Sequence, residues 1–283
     1  MPSQNDTRKA CIIGFPVRHS RSPLIHEYWL DLYGIKGSYE RAEVRAGDFP
    51  GFMDHFAALG FAGGNVTLPH KQAAFKRCLQ TTETAARLKA VNTLWFESGK
   101  LCGDNTDAAG FLAALDQDAP GWDDVRAQAV VLGAGGAARA IAYALQLRGA
   151  ARIWLVNRTR ARADALAADL GPPIEAADDS ALPRLLSQAS LLVNTTSLGM
   201  LGQPRLHLGL DPLPEKAAVC DIVYVPLETE LIKAAKARAL RAVPGIGMLL
   251  HQAVPGFERW FGVRPSVTKE LRSIIQADIP AAV

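Results

Sequence analysis

The sequence predicts an α/β protein of two domains, and three observations predict it. A chain of 283 residues, at about 150 residues per domain, makes two. Short apolar runs alternate with helical patterns along most of its length, which implies strands covered by helices. After about Asp107 the texture changes. Fully apolar runs such as Ala129-Val130-Val131-Leu132 appear, as buried parallel strands require.

The elements follow in order. Residues 10–14 read as a strand. Ser22 and Pro23 open a helix to about Tyr33, with Ser as N-cap and Pro at the first helical position. Residues 39–44 alternate like a strand, and 48–59 read as a helix ended by Gly60. A strand over 62–67 is followed by a helix from about Pro69. Ser98-Gly99 between 91–96 and 100–102 signals a hairpin. Residues 110–115 are helical. Strands over 129–132, 153–156, 191–193 and 219–223 follow, each separated by helix or loop. The end is mostly helical, over 248–261 and 268–277. The expected domains are 1–107 with 246–283, and 108–245.

Composition excludes several classes. Charge is near balance, with 31 basic and 28 acidic residues, and 49% of residues are hydrophobic. That argues against disorder and against a strongly basic nucleic-acid binder. The longest charge-free run, 185–204, carries Ser, Gln, Asn and Thr throughout, unlike a membrane span. The leading MPSQNDTRKA lacks the apolar core of a signal peptide. The four cysteines show no C-x-x-C and the six histidines no ligand spacing. These features predict a cytoplasmic protein with reduced thiols and no metal. No interface stripe stands out, which leaves monomer and homodimer both open.

Gly133-x-Gly135-x-x-Ala138 follows an apolar strand and precedes a helix. That context is what a dinucleotide fingerprint needs. The first Gly permits the tight turn, the second lets amides approach a pyrophosphate, and a small third residue lets helix and strand pack closely. A Gly-rich turn that binds nothing is the bland alternative. The next strand ends in Asn157-Arg158-Thr159-Arg160-Ala161-Arg162. A carboxylate there selects NAD through the ribose 2′-hydroxyl. Here Arg158 and Arg162 can instead grip a 2′-phosphate, so the predicted cofactor is NADP.

Other polar constellations are ambiguous singly. His19-Ser20-Arg21-Ser22-Pro23 sets two hydroxyls at a helix start, suited to a small carboxylate or only to capping. Asn65-Val66-Thr67-Leu68-Pro69-His70-Lys71 runs off a strand end. Asn92-Thr93 lies in an apolar segment, and a buried Asn needs partners. Gly103-Asp104-Asn105-Thr106-Asp107 is a polar cluster before a helix, where a cap is the plain reading. Together they place a lysine, an acid, an amide and hydroxyls beside a nicotinamide domain. That kit suits oxidation of an alcohol on a polyhydroxylated acid, which needs a proton acceptor while hydride leaves.

These motifs, in this order and over nearly the whole chain, resemble the shikimate dehydrogenase family. The resemblance extends to Ala90-Val91-Asn92-Thr93, Asn194-Thr195-Thr196-Ser197, Asp221-Ile222-Val223-Tyr224-x-Pro226 and Gly247-Met248-Leu249-x-x-Gln252. It implies an N-terminal α/β substrate-binding domain, a Rossmann-type NADP-binding domain, and a cleft between them. It implies reversible reduction of 3-dehydroshikimate to shikimate with NADPH, in aromatic amino acid (chorismate) biosynthesis. By the same resemblance Lys71 exchanges the proton, and Asp107 binds substrate and pairs with Lys71. Ser20 and Ser22 hold the carboxylate, while Thr67, Asn92, Tyr224 and Gln252 bind or orient ring substituents. Gly133, Ala134, Gly135, Gly136, Ala137, Asn157, Arg158, Thr159 and Arg162 hold the cofactor. Ile222 and Gly245 lie at its nicotinamide end, and Glu83 touches it from the other domain.

Three positions depart from the family's pattern: Glu27 for Asn, Lys89 for a small residue, and Ala108 for Gly. Rival readings are a relative of broader quinate or NAD use, a folate methylene dehydrogenase and cyclohydrolase, and a non-catalytic sensor. The two arginines oppose the first, the Ser20/Ser22 and Asn105-Thr106-Asp107 signatures the second, and Lys71 with Asp107 the third.

Overall fold

The computed structural model describes residues 7–123 and 127–280. The first six residues, part of the stretch read above for a targeting signal, lie outside them. The chain divides into two compact units, one running to Thr106 and resuming over Gln252–Ile275, the other holding Asp107–His251 and continuing from Gln276.

The first unit is built on β1 (Arg8–Gly14), α1 (Ser22–Leu32), β2 (Gly37–Glu43), α2 (Phe49–His55), β3 (Phe61–Val66), α3 (Lys71–Arg77), β4 (Gln80–Thr81), α4 (Glu83–Leu88), β5 (Thr93–Glu97) and β6 (Lys100–Asp104). Its sheet has the order β2-β1-β3-β5-β6-β4. β1 is parallel to β2 and β3. β5 runs antiparallel to both β3 and β6, and the Ser98-Gly99 turn joins it to β6 as a hairpin. One apolar cluster gathers Cys11, Ile13 and Val66 from the sheet with Phe49, Met53, Phe56 and Ala74 from α2, the turn after it and α3. Lys89 closes α4 in the left-handed conformation at φ 54°, a position that favours residues without a side-chain penalty.

The second unit comprises α5 (Asp107–Asp118), β7 (Gln128–Leu132), α6 (Gly136–Leu147), β8 (Arg152–Val156), α7 (Arg160–Leu170), β9 (Ile174–Ala177), α8 (Leu182–Leu186), β10 (Leu191–Asn194), β11 (Ala218–Asp221), α9 (Glu230–Ala237), β12 (Arg241–Pro244) and α10 (Ile246–His251). Its six strands are ordered β12-β11-β10-β7-β8-β9, and every neighbouring pair is parallel. This is the two-halved order of a dinucleotide-binding sheet, reversing direction between β7 and β10. The apolar runs are buried end to end: Ala129 to Leu132 and Leu191 to Asn194 are all inside. A second cluster joins Val130, Leu132, Trp154, Val156, Leu192 and Val219 to Leu185, Leu186, Leu231 and Ala235 of α8 and α9.

The chain then returns to the first unit as α11 (Val254–Phe261) and α12 (Lys269–Ala277). The helix expected over 248–261 is therefore two helices. The break falls at Gln252–Ala253, just before Pro255 in the first turn of α11. Pro lacks an N–H and is tolerated only at a helix start. The return expected at residue 246 also comes later, at Gln252, because α10 packs against α5 of the second unit.

α11 closes the first unit's sheet against β1, β3 and β5. Trp260 Nε1 donates to the Leu94 carbonyl at 2.8 Å. Beneath it lies an aromatic cage around His26. The imidazole stacks on Tyr39 at 4.1 Å between centroids and on Phe257 at 5.9 Å, with Trp29 and Trp260 at its edges. Among the described residues neither ring nitrogen makes a well-formed hydrogen bond, and burial, opposed only weakly by the Asn65 side chain, drives the pKa down from 6.5 to about 3. The ring is a neutral aromatic wedge, and charging it inside the cage is costly. Among the described residues no helix is long and apolar enough to cross a membrane, and no cluster of His, Cys, Asp or Glu could hold a metal ion.

His26 gives the fold a defined acid sensitivity. Below pH 6.5 the unfolded chain takes up a proton that the folded cage refuses, so stability falls with pH by up to about 1.4 kcal/mol per unit until near the folded pKa. In His26→Phe this component is absent. Compared from pH 7 to pH 4, the urea midpoint of wild type falls relative to that of His26→Phe. Parallel curves would show that the imidazole charges in place.

Candidate active site

In the first unit the candidate residues gather where β1, β3 and β6 end. Ser22 is the first residue of α1, not its N-cap, and no side chain caps the helix from Arg21. Ser20 does that work from outside, its Oγ accepting from the Ser22 amide at 3.2 Å. Its O–H remains available to donate. The loop is held by Ser20 N to Val17 O at 3.0 Å and by the Arg41 guanidinium on the Ser20 carbonyl at 2.9 Å.

Thr67 follows β3, and its amide donates to the Ile13 carbonyl at 2.9 Å, setting the ends of β1 and β3 side by side. Lys71 opens α3 and is half-buried. Its carbonyl accepts from the Val91 amide at 2.9 Å, which joins the start of α3 to the segment carrying Asn92. Asn92 is buried between β3 and β6: its carbonyl accepts from Val66 N at 2.8 Å and its amide donates to Asp104 O at 2.9 Å. Gln252 comes to the same place from the far end of the chain, its carbonyl accepting from Thr106 Oγ1 at 2.7 Å. Thus Thr67, Lys71, Asn92 and Gln252 share one end of one sheet. Glu83 opens α4 and is exposed.

Sequence reading missed what holds this cluster. Thr106 donates its amide to Asn92 Oδ1 at 2.8 Å, and Asn65 Nδ2 donates to the Asn92 carbonyl at 3.1 Å. Asn65 in turn accepts from the Tyr39 phenol at 2.6 Å. Tyr39 lies 26 positions from Asn65, so no local pattern could reveal the pair.

In the second unit Asp107 is the half-buried first residue of α5. The helix starts there and not near Gly110. The Gly-rich turn sits between β7 and α6. Gly133 has φ +111°, and a Cβ on it would stand 2.6 Å from Thr195 Oγ1, so only glycine fits. Thr195, off the end of β10, donates its hydroxyl to Leu132 O at 2.6 Å. These contacts lie at the reversal of strand order, where such sheets bind ligands. At Gly135 and Gly136 a Cβ would meet nothing within 4 Å. No side chain caps α6, so its first amides face open space, which suits an anion.

The loop after β8 separates its arginines. Arg160 is committed to Asp164 at 2.9 Å and Asp178 at 2.8 Å. Arg158 and Arg162 are exposed, and among the described residues neither has an ion-pair partner. Asn157 Nδ2 donates to Thr159 O at 2.8 Å and fixes the turn.

A third group surrounds Asp221, which sequence reading quoted in a motif but did not single out. Its fully buried carboxylate accepts from Asn194 Nδ2 at 2.9 Å, Val223 N at 3.0 Å and Thr229 Oγ1 at 2.6 Å. Burial raises its pKa, and these three donors oppose the rise. The effect is to pin the segment after β11. That segment supplies Ile222 and Tyr224 to a cavity of about 290 Å³, lined also by Thr195, Thr196 and Met200. Gly245 passes so close that a Cβ would meet the Ile222 carbonyl at 2.4 Å.

This geometry can be set beside known proteins. The family model described as shikimate dehydrogenase substrate binding domain matches residues 12–94. That of shikimate / quinate 5-dehydrogenase matches 119–201, and that of the shikimate 5′-dehydrogenase C-terminal domain matches 245–269. The shikimate dehydrogenase (NADP(+)) of Methylocella silvestris is 58% identical over 274 residues, covering 97% of this chain and 98% of its own. The chain belongs to the shikimate dehydrogenase family. Among solved members of similar fold, the Thermus thermophilus shikimate 5-dehydrogenase in complex with NADP(H) and shikimate is 36% identical. It aligns at a TM-score of 0.86 over 96% of this chain and all of its own. The quinate dehydrogenase of Corynebacterium glutamicum in complex with NAD is 32% identical, with a TM-score of 0.89 over 96% and 100%. The family thus includes both cofactors and both substrates.

Removing the Asp221 carboxylate strands three buried donors. Asp221→Ala is expected to destabilise the protein by about 3 kcal/mol, read as a lower urea midpoint. A midpoint equal to that of wild type would show that water or a neighbour takes over the three bonds.

Proposed function

We propose that this chain catalyses the reversible reduction of 3-dehydroshikimate to shikimate with NADPH, a step in chorismate biosynthesis. The observation that carries the NADP-linked reading is the arginine pair after β8. Of its three arginines, only Arg160 is spent on carboxylates. Arg158 and Arg162 are left to a 2′-phosphate, for which guanidinium is well shaped. The residues present fit the cofactor: Gly133 to Ala137 offer an open turn and uncapped amides to a pyrophosphate. Asn157 and Thr159 shape the adenosine end, and Ile222 and Gly245 the nicotinamide end. Glu83 is a further cofactor contact by family resemblance.

Bound NADPH supplies the hydride. The chain's own groups do the rest. Lys71 delivers a proton to the substrate carbonyl oxygen in reduction and removes it from the hydroxyl in oxidation. Ser20 and Ser22 donate hydrogen bonds to the carboxylate. Thr67, Asn92, Tyr224 and Gln252 orient ring oxygens, and Asp107 accepts from a ring hydroxyl. A cytoplasmic setting is supported by the four cysteines, all free thiols. Monomer and homodimer are separated by light scattering.

A second reading, broader use of quinate or NAD, is favoured by the likeness to the Corynebacterium glutamicum quinate dehydrogenase. Rates with shikimate and quinate, each offered NADP and NAD, decide between them. Fast turnover only with shikimate and NADP supports the first reading, and comparable rates with quinate or NAD support the second.

Two substitutions test the assignments. Lys71→Ala is expected to abolish turnover almost entirely while NADP binding, followed by fluorescence, stays near normal; near wild-type turnover would remove Lys71 from the chemistry. Arg158→Ala and Arg162→Ala are each expected to raise the KM for NADP about tenfold and to leave that for NAD unchanged. An equal effect on both cofactors would place the arginines away from the 2′-phosphate.

A further inference from the structure

We propose that Tyr39 is a positioning residue for this reaction, setting the sense of the Asn92 side-chain amide through Asn65 and Thr93. The inference rests on the reading of Asn92 as a substrate ligand, and its geometry lies wholly within the first unit.

The residues form a chain of hydrogen bonds whose direction is forced by backbone groups. A carbonyl can only accept and an amide N–H can only donate. Asn65 faces the Asn92 carbonyl at 3.1 Å, so Nδ2 must be the atom there and Oδ1 must face Tyr39. The phenol therefore donates to Asn65, at 2.6 Å. Asn92 faces the Thr106 amide at 2.8 Å, so its Oδ1 lies inward and its Nδ2 is a donor. The Gln252 carbonyl takes the Thr106 hydroxyl proton at 2.7 Å. Thr106 Oγ1 must then accept from Asn92 Nδ2, at 3.1 Å. Between the two asparagines Thr93 Oγ1 accepts from Asn65 at 3.3 Å and donates to Asn92 at 2.9 Å.

Every donor thus points the same way, from Tyr39 through Asn65, Thr93, Asn92 and Thr106 to Gln252. Tyr39 feeds this chain, and its phenol is hydrogen-bonded in turn to the Ser22 side chain, so Thr93→Val, which leaves that bond alone, isolates the route through Asn92. The Tyr39 ring is buried and stacked on His26, and burial keeps the phenol protonated, its pKa well above 10. Facing the Asn65 oxygen at 2.6 Å, the phenol donates there. Without it Asn65 Oδ1 is a buried acceptor with no phenol. The gain from turning that amide then competes with its bonds to Asn92 and Thr93. Asn92 would present its amide less often in the sense that donates to a substrate oxygen.

Tyr39→Phe keeps the stacked ring and deletes the proton; Thr93→Val keeps the shape and cuts the chain farther along. Each is expected to raise the KM for shikimate about tenfold, with kcat within about twofold and the KM for NADP unmoved, because uniform ground-state binding is lost. Together their effects are expected to combine to less than their product, as for two cuts in one chain. A shikimate KM within twofold of wild type in Tyr39→Phe, or effects that multiply in full, would overturn the proposal. Turnover of shikimate by wild type is measured alongside, and its absence removes the functional reading instead. In that event the 15N-labelled side-chain amide of Asn92 is the readout: its signals shift in Tyr39→Phe if the chain operates, and unchanged signals refute it.

Discussion

A buried carboxamide has three or four hydrogen bonds to satisfy and nowhere to turn for water. Asn92 meets that demand with a carbonyl-to-amide clamp and two threonines, and the first unit is organised around it. β3 and β6 end where they do because their last residues bond the backbone of Asn92 on either side. Val91, its neighbour, takes the carbonyl of Lys71, so the lysine that opens α3 is placed by the same segment. Thr106 completes the set and receives the returning chain at Gln252. A polar side chain that is expensive to bury here fixes four pieces of chain in one register.

The second unit is built by the opposite means. Its central strands are mostly apolar, with polar residues confined to their ends. The accessible polar groups lie just past the strands: uncapped backbone amides at the start of α6 and the exposed cations after β8. Such a surface needs backbone held at close approach, which the absent Cβ atoms of Gly133 and Gly245 permit. Asn194 and Asp221 are the buried polar pair at those ends. The Asp221 carboxylate is bound from three sides, so the loop that bears Ile222 and Tyr224 has one conformation to offer.

What was legible in the sequence was local. The Gly-rich turn, the arginine cluster and the apolar runs each lie within a few residues, so spacing alone located them. Ser20 and Ser22 were legible as a pair, but not which of them caps the other. The apolar spacing over 248–261 continues across Gln252 and so hides the break that Pro255 imposes between α10 and α11. The start of α5 at Asp107 was hidden by a polar run that reads equally as loop. Least legible were Tyr39, Thr106 and Asp221. Their importance comes from partners brought near by strand pairing, and no periodicity encodes which buried hydroxyl will face which amide.

The bond between Thr106 and Gln252 has an architectural meaning as well. The chain leaves the first unit immediately after Thr106 and re-enters it at Gln252, and those two residues are 2.7 Å apart, hydroxyl to carbonyl. Seen from the first unit, everything in between is a single loop whose ends are already joined. The entropy of closing a loop grows only with the logarithm of its length. The first unit can therefore carry the whole second unit as an insertion, and the insertion can change in size while the scaffold that receives it stays the same.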